Sequence, residues 1–239
     1  MEKQIKSKQR VADHGEVFTA EREVKAMCDL VGNETNQISS KFLEPACGDG
    51  NFLSEILTRK LQCSEMKRYR ASTYDWERNS LLVLGSLYGV DILKDNCDIC
   101  RERLFKIWDK EYKKVCKKEC NDDTRRAAKF ILSINIVCGD ALKYHLVDQN
   151  GNITSEPIIF SEWSFPRNDA FIHRKDYSFD DLVNGDEKNA KKKRAKGDQM
   201  TLFTDAEKLE PDDEGKFIKE HPATHYRRLG DIMEDEENG

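Results

Sequence analysis

The chain has 239 residues, room for one sizeable domain with extensions but hardly for two full domains. With 38% hydrophobic residues it can build a core, yet 36% charged residues and a mean hydropathy of −0.77 require a folded part and a polar remainder. A net charge of −5 excludes a generally basic nucleic-acid binder, though not a local basic patch.

Residues 1–13 are charged and expected to be a flexible N-terminus. A helix is predicted over 21–31, with Val24, Met27, Cys28 and Val31 on one face, followed by a polar linker over 32–40. The apolar run from Phe42 reads as a strand that stops at Pro45-Ala46-Cys47-Gly48-Asp49-Gly50, and an apolar helix follows over 52–61. A helix over 77–86 runs into a strand over 87–92 that ends in an acid. Asp95 can cap the long helix predicted over 96–112. A helix over 123–132 precedes a third strand over 135–140, again ending in an acid, and 157–160 is a fourth strand. One more strand is possible around 170–179. Strands alternating with helices predict a parallel sheet covered on both faces.

The composition changes after Phe179. Residues 184–215 are nearly all charged or polar, with a basic run over 188–196, and read as a disordered linker. The last segment holds Pro222, His225, Tyr226 and Leu229 and can dock back on the core. The predicted organisation is a flexible N-terminus (1–13), a core (14–183), a charged linker (184–216) and a C-terminal tail (217–239). No run of about 18 apolar residues exists, so no membrane span is expected. Residues 1–10 carry no signal-peptide core, so a cytoplasmic location is expected. Without a signal peptide, the eight cysteines read as reduced thiols or metal ligands rather than disulfides.

A strand, a glycine-rich bend and a helix open a nucleotide-binding α/β unit. Gly48 and Gly50 let backbone approach a ligand, and the helix N-terminus presents free N–H groups to an anion. The Gly-x-Gly is a weak signal alone. Asp91 strengthens it, because a carboxylate at that strand end can accept from two ribose hydroxyls, and Gly139-Asp140 adds a polar group on the same rim.

The run from Glu44 to Phe52 resembles the S-adenosylmethionine (SAM) motif of N6-adenine DNA methyltransferases, those of restriction-modification systems above all. Gly15-Glu16-Val17-Phe18-Thr19-Ala20 resembles that family's N-terminal Phe-Thr-Pro element, with Ala20 in place of proline. Gly89-Val90-Asp91-Ile92 resembles its ribose-binding element, and the stretch from Cys138 to Leu142 its adenine-side element. The four occur in the family's order over about residues 15–142. The resemblance implies a Rossmann-like SAM-dependent methyltransferase core with a mainly parallel sheet, truncated, plus a polar C-terminal extension. It implies that Phe18 and Thr19 hold the methionine end and that Glu44, Ala46, Gly48 and Gly50 line the backbone pocket. It further implies that Asp91 grips the ribose, Ile92 packs on the adenine and Asp140 binds the adenine amino group. A nicotinamide cofactor is the main competitor, and the 44–52 run argues against it.

Amino-methylating members of the family follow the fourth strand with Asn or Asp, Pro, Pro and an aromatic, which orient the amine of a flipped base and stack on it. Here the strand continues as Phe160-Ser161-Glu162-Trp163-Ser164-Phe165-Pro166. Ser161, Glu162 and Trp163 are the candidate catalytic residues, Glu162 accepting from the amine and Trp163 or Phe165 stacking on the base. The alternative is a degenerate site in which Trp163 and Phe165 are core or partner contacts. With only four convincing strands and no evident target-recognition domain, an exposed sheet edge predicts a partner subunit, a homodimer or a restricted substrate.

Gln199-Met200-Thr201-Leu202-Phe203 resembles the bacterial sliding-clamp binding motif, which would tether the chain to replicating DNA through Gln199, Met200, Leu202 and Phe203. The alternative is a segment that packs on its own core. Lys191-Lys192-Lys193-Arg194 can contact DNA phosphates, although a solvated charge run explains it as well. Cys97, Cys100, Cys116 and Cys120 have zinc-like spacing, but two of them fall within one helix, so no metal is expected. No nucleophile–histidine pairing emerges from the five histidines, and His225 and Tyr226 read as structural contacts. The functional expectation is methyl transfer from SAM to N6 of adenine in DNA. The alternatives are a catalytically silent SAM-binding subunit, or methylation of RNA or protein.

Overall fold

The computed structural model of the chain describes residues 7–14, 19–184 and 217–232. Helices α1 (Lys8–His14), α2 (Glu21–Leu30) and α3 (Gly32–Thr35) precede strand β1 (Phe42–Glu44). Helices α4 (Asn51–Gln62), α5 (Ser64–Arg68) and α6 (Thr73–Gly85) lead to β2 (Leu87–Asp91), and α7 (Lys94–Cys116) and α8 (Asp122–Asn135) lead to β3 (Ile136–Asp140). Six short strands follow: β4 (His145–Val147), β5 (Ile153–Pro157), β6 (Ile159–Ser164), β7 (Phe171–Ser178), β8 (Lys219–Glu220) and β9 (Thr224–His225).

The first sheet has the order β1-β2-β3-β4-β5. Its first two pairings are parallel, Glu44 lying beside Gly89 and Asp91 beside Cys138, so the acid-bearing strand ends share one rim. Its last two pairings are antiparallel. The fold is therefore a mixed α/β sheet flanked by helices, parallel only where helices intervene. Only residues 141–144 join β3 to β4, and a parallel return needs a crossover of a dozen residues or more.

The same rule corrects the expected fourth strand. It runs over 159–164 instead of 157–160 and leaves the parallel sheet. It pairs antiparallel with β7 in a second sheet, to which β8 and β9 add. Six residues (165–170) connect β6 to β7, enough for a hairpin alone. As a result, among the described residues, β1 pairs with β2 alone in the first sheet.

Strand β2 is buried over 87–90, because its alternating side chains feed two cores. Leu87 packs with Leu53, Leu57, Leu84, Ile131 and Trp163 among the helices. Tyr88 and Val90 pack with Ile158, Phe160 and Phe179 on the other side. Helix α4 presents Leu53, Ile56, Leu57 and Leu61 at helical spacing to the larger core, and cutting one such buried leucine to alanine costs about 2–5 kcal/mol. Lys60 on the same face is fully buried. Its ammonium donates to the carbonyls of Ile38 (3.1 Å) and Ser40 (2.5 Å) and to Ser86 Oγ (2.6 Å), tying the approach to β1 to the end of α6. Burial pulls its pKa down to about 7.

Several local expectations change. The polar linker contains α3, where Thr35 is buried and bonds Gly32 O at 3.0 Å. Residues 8–14, expected to be loose, form a helix whose Arg10 pairs with Asp95 at 2.7 Å and donates to Asn96 Oδ1 at 3.2 Å. Asp95 therefore does not cap α7, which begins two residues earlier than predicted, at Lys94, with Leu93 as its cap residue and no side-chain cap bond. Serine and asparagine caps do form on α6 (Ser72 Oγ from Asp75 N) and α8 (Asn121 Oδ1 from Thr124 N).

Residues 217–232 return to the core through two buried carboxylates. Glu77, fully buried on α6, accepts from Tyr226 OH (2.5 Å), Arg227 Nη2 (2.7 Å), Asn121 Nδ2 (2.9 Å) and the Tyr112 hydroxyl. Asp176 on β7 accepts from Ser161 Oγ (2.6 Å), Arg174 Nε (2.9 Å) and His221 Nε2 (2.7 Å). Burial works to raise the Asp176 carboxyl, yet the donors Ser161, His221 and Arg174 together hold it below the usual carboxylate range. His225 and Tyr226 stack on each other at 5.1 Å, as structural contacts. The charged stretch with its clamp-like peptide, Gln199, Met200, Leu202 and Phe203, lies outside the described residues, as does the Lys191–Arg194 run.

Candidate cofactor site

The rim formed by the ends of β1, β2 and β3 opens into a cavity of about 610 Å³, within the range of small-molecule cofactor sites. Its walls come from three segments: Glu44–Asp49 with Asn51 and Phe52, Asp91–Leu93 with Asn96, and Gly139–Leu142; Thr19 closes it from the N-terminal side.

The bend between β1 and α4 depends on its glycines. Gly50 is the cap residue of α4 at φ +87°, and a Cβ there would lie 2.6 Å from Cys100 Sγ, so any other residue is both strained and clashing. Gly50 is buried and does not line the cavity, unlike Gly48. No side chain caps α4 and its first turn holds no acid, so its N-terminal amides and its positive dipole end, beside the lining residues Asn51 and Phe52, are available to an anion. Arg103 clamps Asp49 through both nitrogens (3.2 and 2.7 Å) and donates to Asn51 Oδ1 (2.6 Å), fixing the floor of the bend.

The carboxylates differ in their spare capacity. Asp91 accepts Gly48 N on one oxygen (2.9 Å) and Leu93 N and Asn96 Nδ2 on the other (2.9 and 3.2 Å). It ties the bend, β2 and the start of α7 into one unit and uses about three of the four acceptor positions of a carboxylate. One acceptor position is left there for a ligand donor, or two once Asn96 turns away. Asp140 accepts Leu142 N and Lys143 N on Oδ1 alone (2.9 and 3.1 Å), which leaves Oδ2 for a ligand amine. Burial raises the pKa of Glu44, with the Ala46 backbone hydrogen bond opposing it; such a half-desolvated acid suits an ammonium partner. Ile92, 39% exposed, offers an apolar platform beside them.

Of the residues expected to bind cofactor, the structure brings Thr19, Glu44, Ala46, Gly48, Asp91, Ile92 and Asp140 to one cavity. Phe18 lies outside the described residues. Pro45, Cys47, Asp49, Asn51, Phe52, Leu93, Asn96, Gly139, Ala141 and Leu142 also line it without having been singled out for the role. Asn96 carried a usable signal, a polar residue one helical turn beyond the acid that ends β2.

The candidate catalytic residues are elsewhere. Ser161 is fully buried, bonded to Asp176 and Arg174. Trp163, 7% exposed, meets Phe130 edge to face at 6.0 Å and packs so tightly on α6 that a Cβ at Gly85 would lie 2.7 Å from its ring. Glu162 pairs with Lys41 at 2.8 Å and lines a separate hollow of about 180 Å³ with Leu43, Tyr88 and Phe160. Phe165 packs under Arg78, whose guanidinium carbon is 4.6 Å from its ring centroid. The hollow beside Glu162 and the cavity at the strand ends share no lining residue.

Helix α7 carries Cys116 roughly 24 Å beyond Cys100, so the four do not converge. Among the described residues, no group of three or more His, Cys, Asp or Glu is placed to hold a metal ion, and no helix is long and apolar enough to cross a membrane. Comparison with protein-family models, with curated proteins and with solved structures gave no match.

Proposed function

We propose that the chain binds S-adenosylmethionine in the cavity at the ends of β1, β2 and β3, as the cofactor-binding core of an N6-adenine DNA methyltransferase of the restriction-modification kind. The observation that carries this reading is the convergence of Glu44, Gly48, Asp91, Ile92 and Asp140 on one cavity from three strand ends. Each wall suits one part of the molecule. The open first turn of α4 receives the methionine carboxylate, and Glu44 the ammonium. Asp91 receives a ribose hydroxyl, Ile92 the adenine face and Asp140 Oδ2 the adenine amine. SAM supplies a methyl group made electrophilic by its sulfonium.

A specific observation favours the second reading, a SAM-binding subunit that leaves the acceptor side to a partner on DNA. Ser161 and Trp163 are committed to packing, and Glu162 opens on another hollow. Titration calorimetry with SAM tests the shared part: saturable binding is expected, reduced about 100-fold by Asp91→Ala, equivalent to roughly 2.7 kcal/mol. No heat of binding to the wild-type chain overturns both readings. Labelled SAM with mixed-sequence DNA separates them. Transfer by the isolated chain that is lost in Asp91→Ala supports the enzyme, and binding without transfer supports the subunit.

A further inference from the structure

Four of the eight cysteines converge beneath the rim: Cys47 from the bend, Cys97 and Cys100 from α7, and Cys138 from β3. Cys47 and Cys100 are both buried, out of reach of solutes. The other pair is different. Cys97 is fully buried, with its sulfur 3.3 Å from Val137 O, the carbonyl preceding Cys138, and 3.6 Å from Asp91 O. Cys138 is partly exposed, with its sulfur 3.6 Å from Ile92 O, the next carbonyl along. The two sulfurs thus sit against neighbouring stretches of backbone, Cys97 at the Asp91 and Val137 carbonyls and Cys138 at the Ile92 carbonyl. The neighbouring Cys97 thiol holds the Cys138 thiol below the usual cysteine range. Burial and Asp91 oppose the shift, while Arg101 and Lys94 add to it. An accessible, thiolate-prone sulfur backed by a second thiol is the arrangement of an oxidisable cysteine with a resolving partner.

We propose that Cys97 and Cys138 form a peroxide-oxidisable dithiol whose disulfide weakens ligand binding in the adjoining cavity. The Cys138 thiolate attacks one oxygen of hydrogen peroxide; the O–O bond breaks, hydroxide leaves and takes up the thiol's proton as water, and a sulfenic acid remains. The Cys97 sulfur then attacks the Cys138 sulfur. The S–S bond forms, the S–O bond breaks, and the departing hydroxide takes the Cys97 proton as a second water. Two thiols are oxidised by two electrons and the peroxide is reduced to two waters. Neither cysteine lines the cavity, but both adjoin its wall. The two sulfurs, now resting on carbonyls of neighbouring backbone, must close to about 2.05 Å, drawing the first turn of α7 toward β3. Asn96, next to Cys97, holds Asp91 Oδ1, and the Ile92 carbonyl faces Cys138, so the carboxylate and the apolar platform are displaced together. The effect on ligand binding rests on the reading of the cavity as a SAM site; formation of the bond does not.

The full-length chain is treated with a modest excess of hydrogen peroxide, its remaining thiols are blocked with N-ethylmaleimide, and its peptides are mapped by mass spectrometry. A Cys97–Cys138 linked peptide is expected. It is absent in Cys138→Ser, and in Cys97→Ser the Cys138 sulfenic acid is trapped by dimedone. Oxidation should speed hydrogen exchange at the amides of Leu93 and Asn96 and lower SAM affinity about tenfold, with dithiothreitol restoring both and Cys138→Ser resisting both. Full alkylation of Cys97 and Cys138 after peroxide overturns the proposal, as does linkage to other cysteines, or a linked peptide with unchanged exchange. If the reduced chain fails to bind SAM, the cofactor reading falls, and peptide mapping with hydrogen exchange still decides the dithiol.

Discussion

The rim of the first sheet and the hub around Glu77 both gather donors on carboxylates, to opposite ends. Glu77 is fully buried and its two oxygens are filled by Tyr112, Tyr226, Arg227 and Asn121. Asp91, Asp140 and Glu44 stand around an open cavity with acceptor positions to spare. A saturated buried acid is a structural clamp, because each of its donors would otherwise be stranded away from water. An acid with spare capacity at a cavity is poised for a ligand. Equal numbers of nearby donors therefore say little until burial and remaining capacity are considered.

Substitutions should separate the two regions, beginning with the hub. Glu77→Ala strands four donors and should cost about 3–5 kcal/mol in chemical unfolding, while the surviving folded fraction binds SAM with unchanged affinity. A matching loss of SAM affinity would show that the two regions are not independent. Gly50→Ala forces a Cβ into left-handed backbone against Cys100 Sγ. It should cost about 1–3 kcal/mol and abolish measurable SAM binding, the reverse weighting of Glu77→Ala. Tyr226→Phe removes one hydrogen bond from the hub and should cost about 1.5–3 kcal/mol, with residues 224–232 losing hydrogen-exchange protection before the rest of the core.

The smallest effect concerns pH. Lys60 has a folded pKa near 7 against 10.5 for an ordinary lysine, so above pH 7 the unfolded chain holds the extra proton and folding stability gains as pH rises. Wild-type stability relative to Lys60→Met should therefore increase between pH 6.5 and about 8.5, below the range where thiols of the unfolded chain titrate. A flat difference would mean that the Ile38 and Ser40 carbonyls keep the ammonium charged.

The rim of strand ends around the cavity is legible in the sequence because its parts are local. Glycines after an apolar run, an acid closing the next run and a Gly-Asp pair closing a third each occupy a few consecutive residues, and parallel pairing then aligns the strand ends. Asp95 was misread because helix-capping residues compete with partners distant in sequence, here Arg10. The hub left no sequence signal, since Glu77 finds its partners 35 to 150 residues away.

Hydrophobic periodicity, turn chemistry and residue types thus determined the longer helices, the first three strands and seven of the residues that face the cavity, because these depend on neighbours a few residues apart. Tertiary structure alone decided that β6 leaves the parallel sheet for a hairpin with β7, and that Ser161 and Trp163 serve packing. It also brought Cys97 and Cys138 into contact. Each of those outcomes depends on which distant surfaces compete to cover a strand or desolvate a side chain, a contest decided by the whole chain at once.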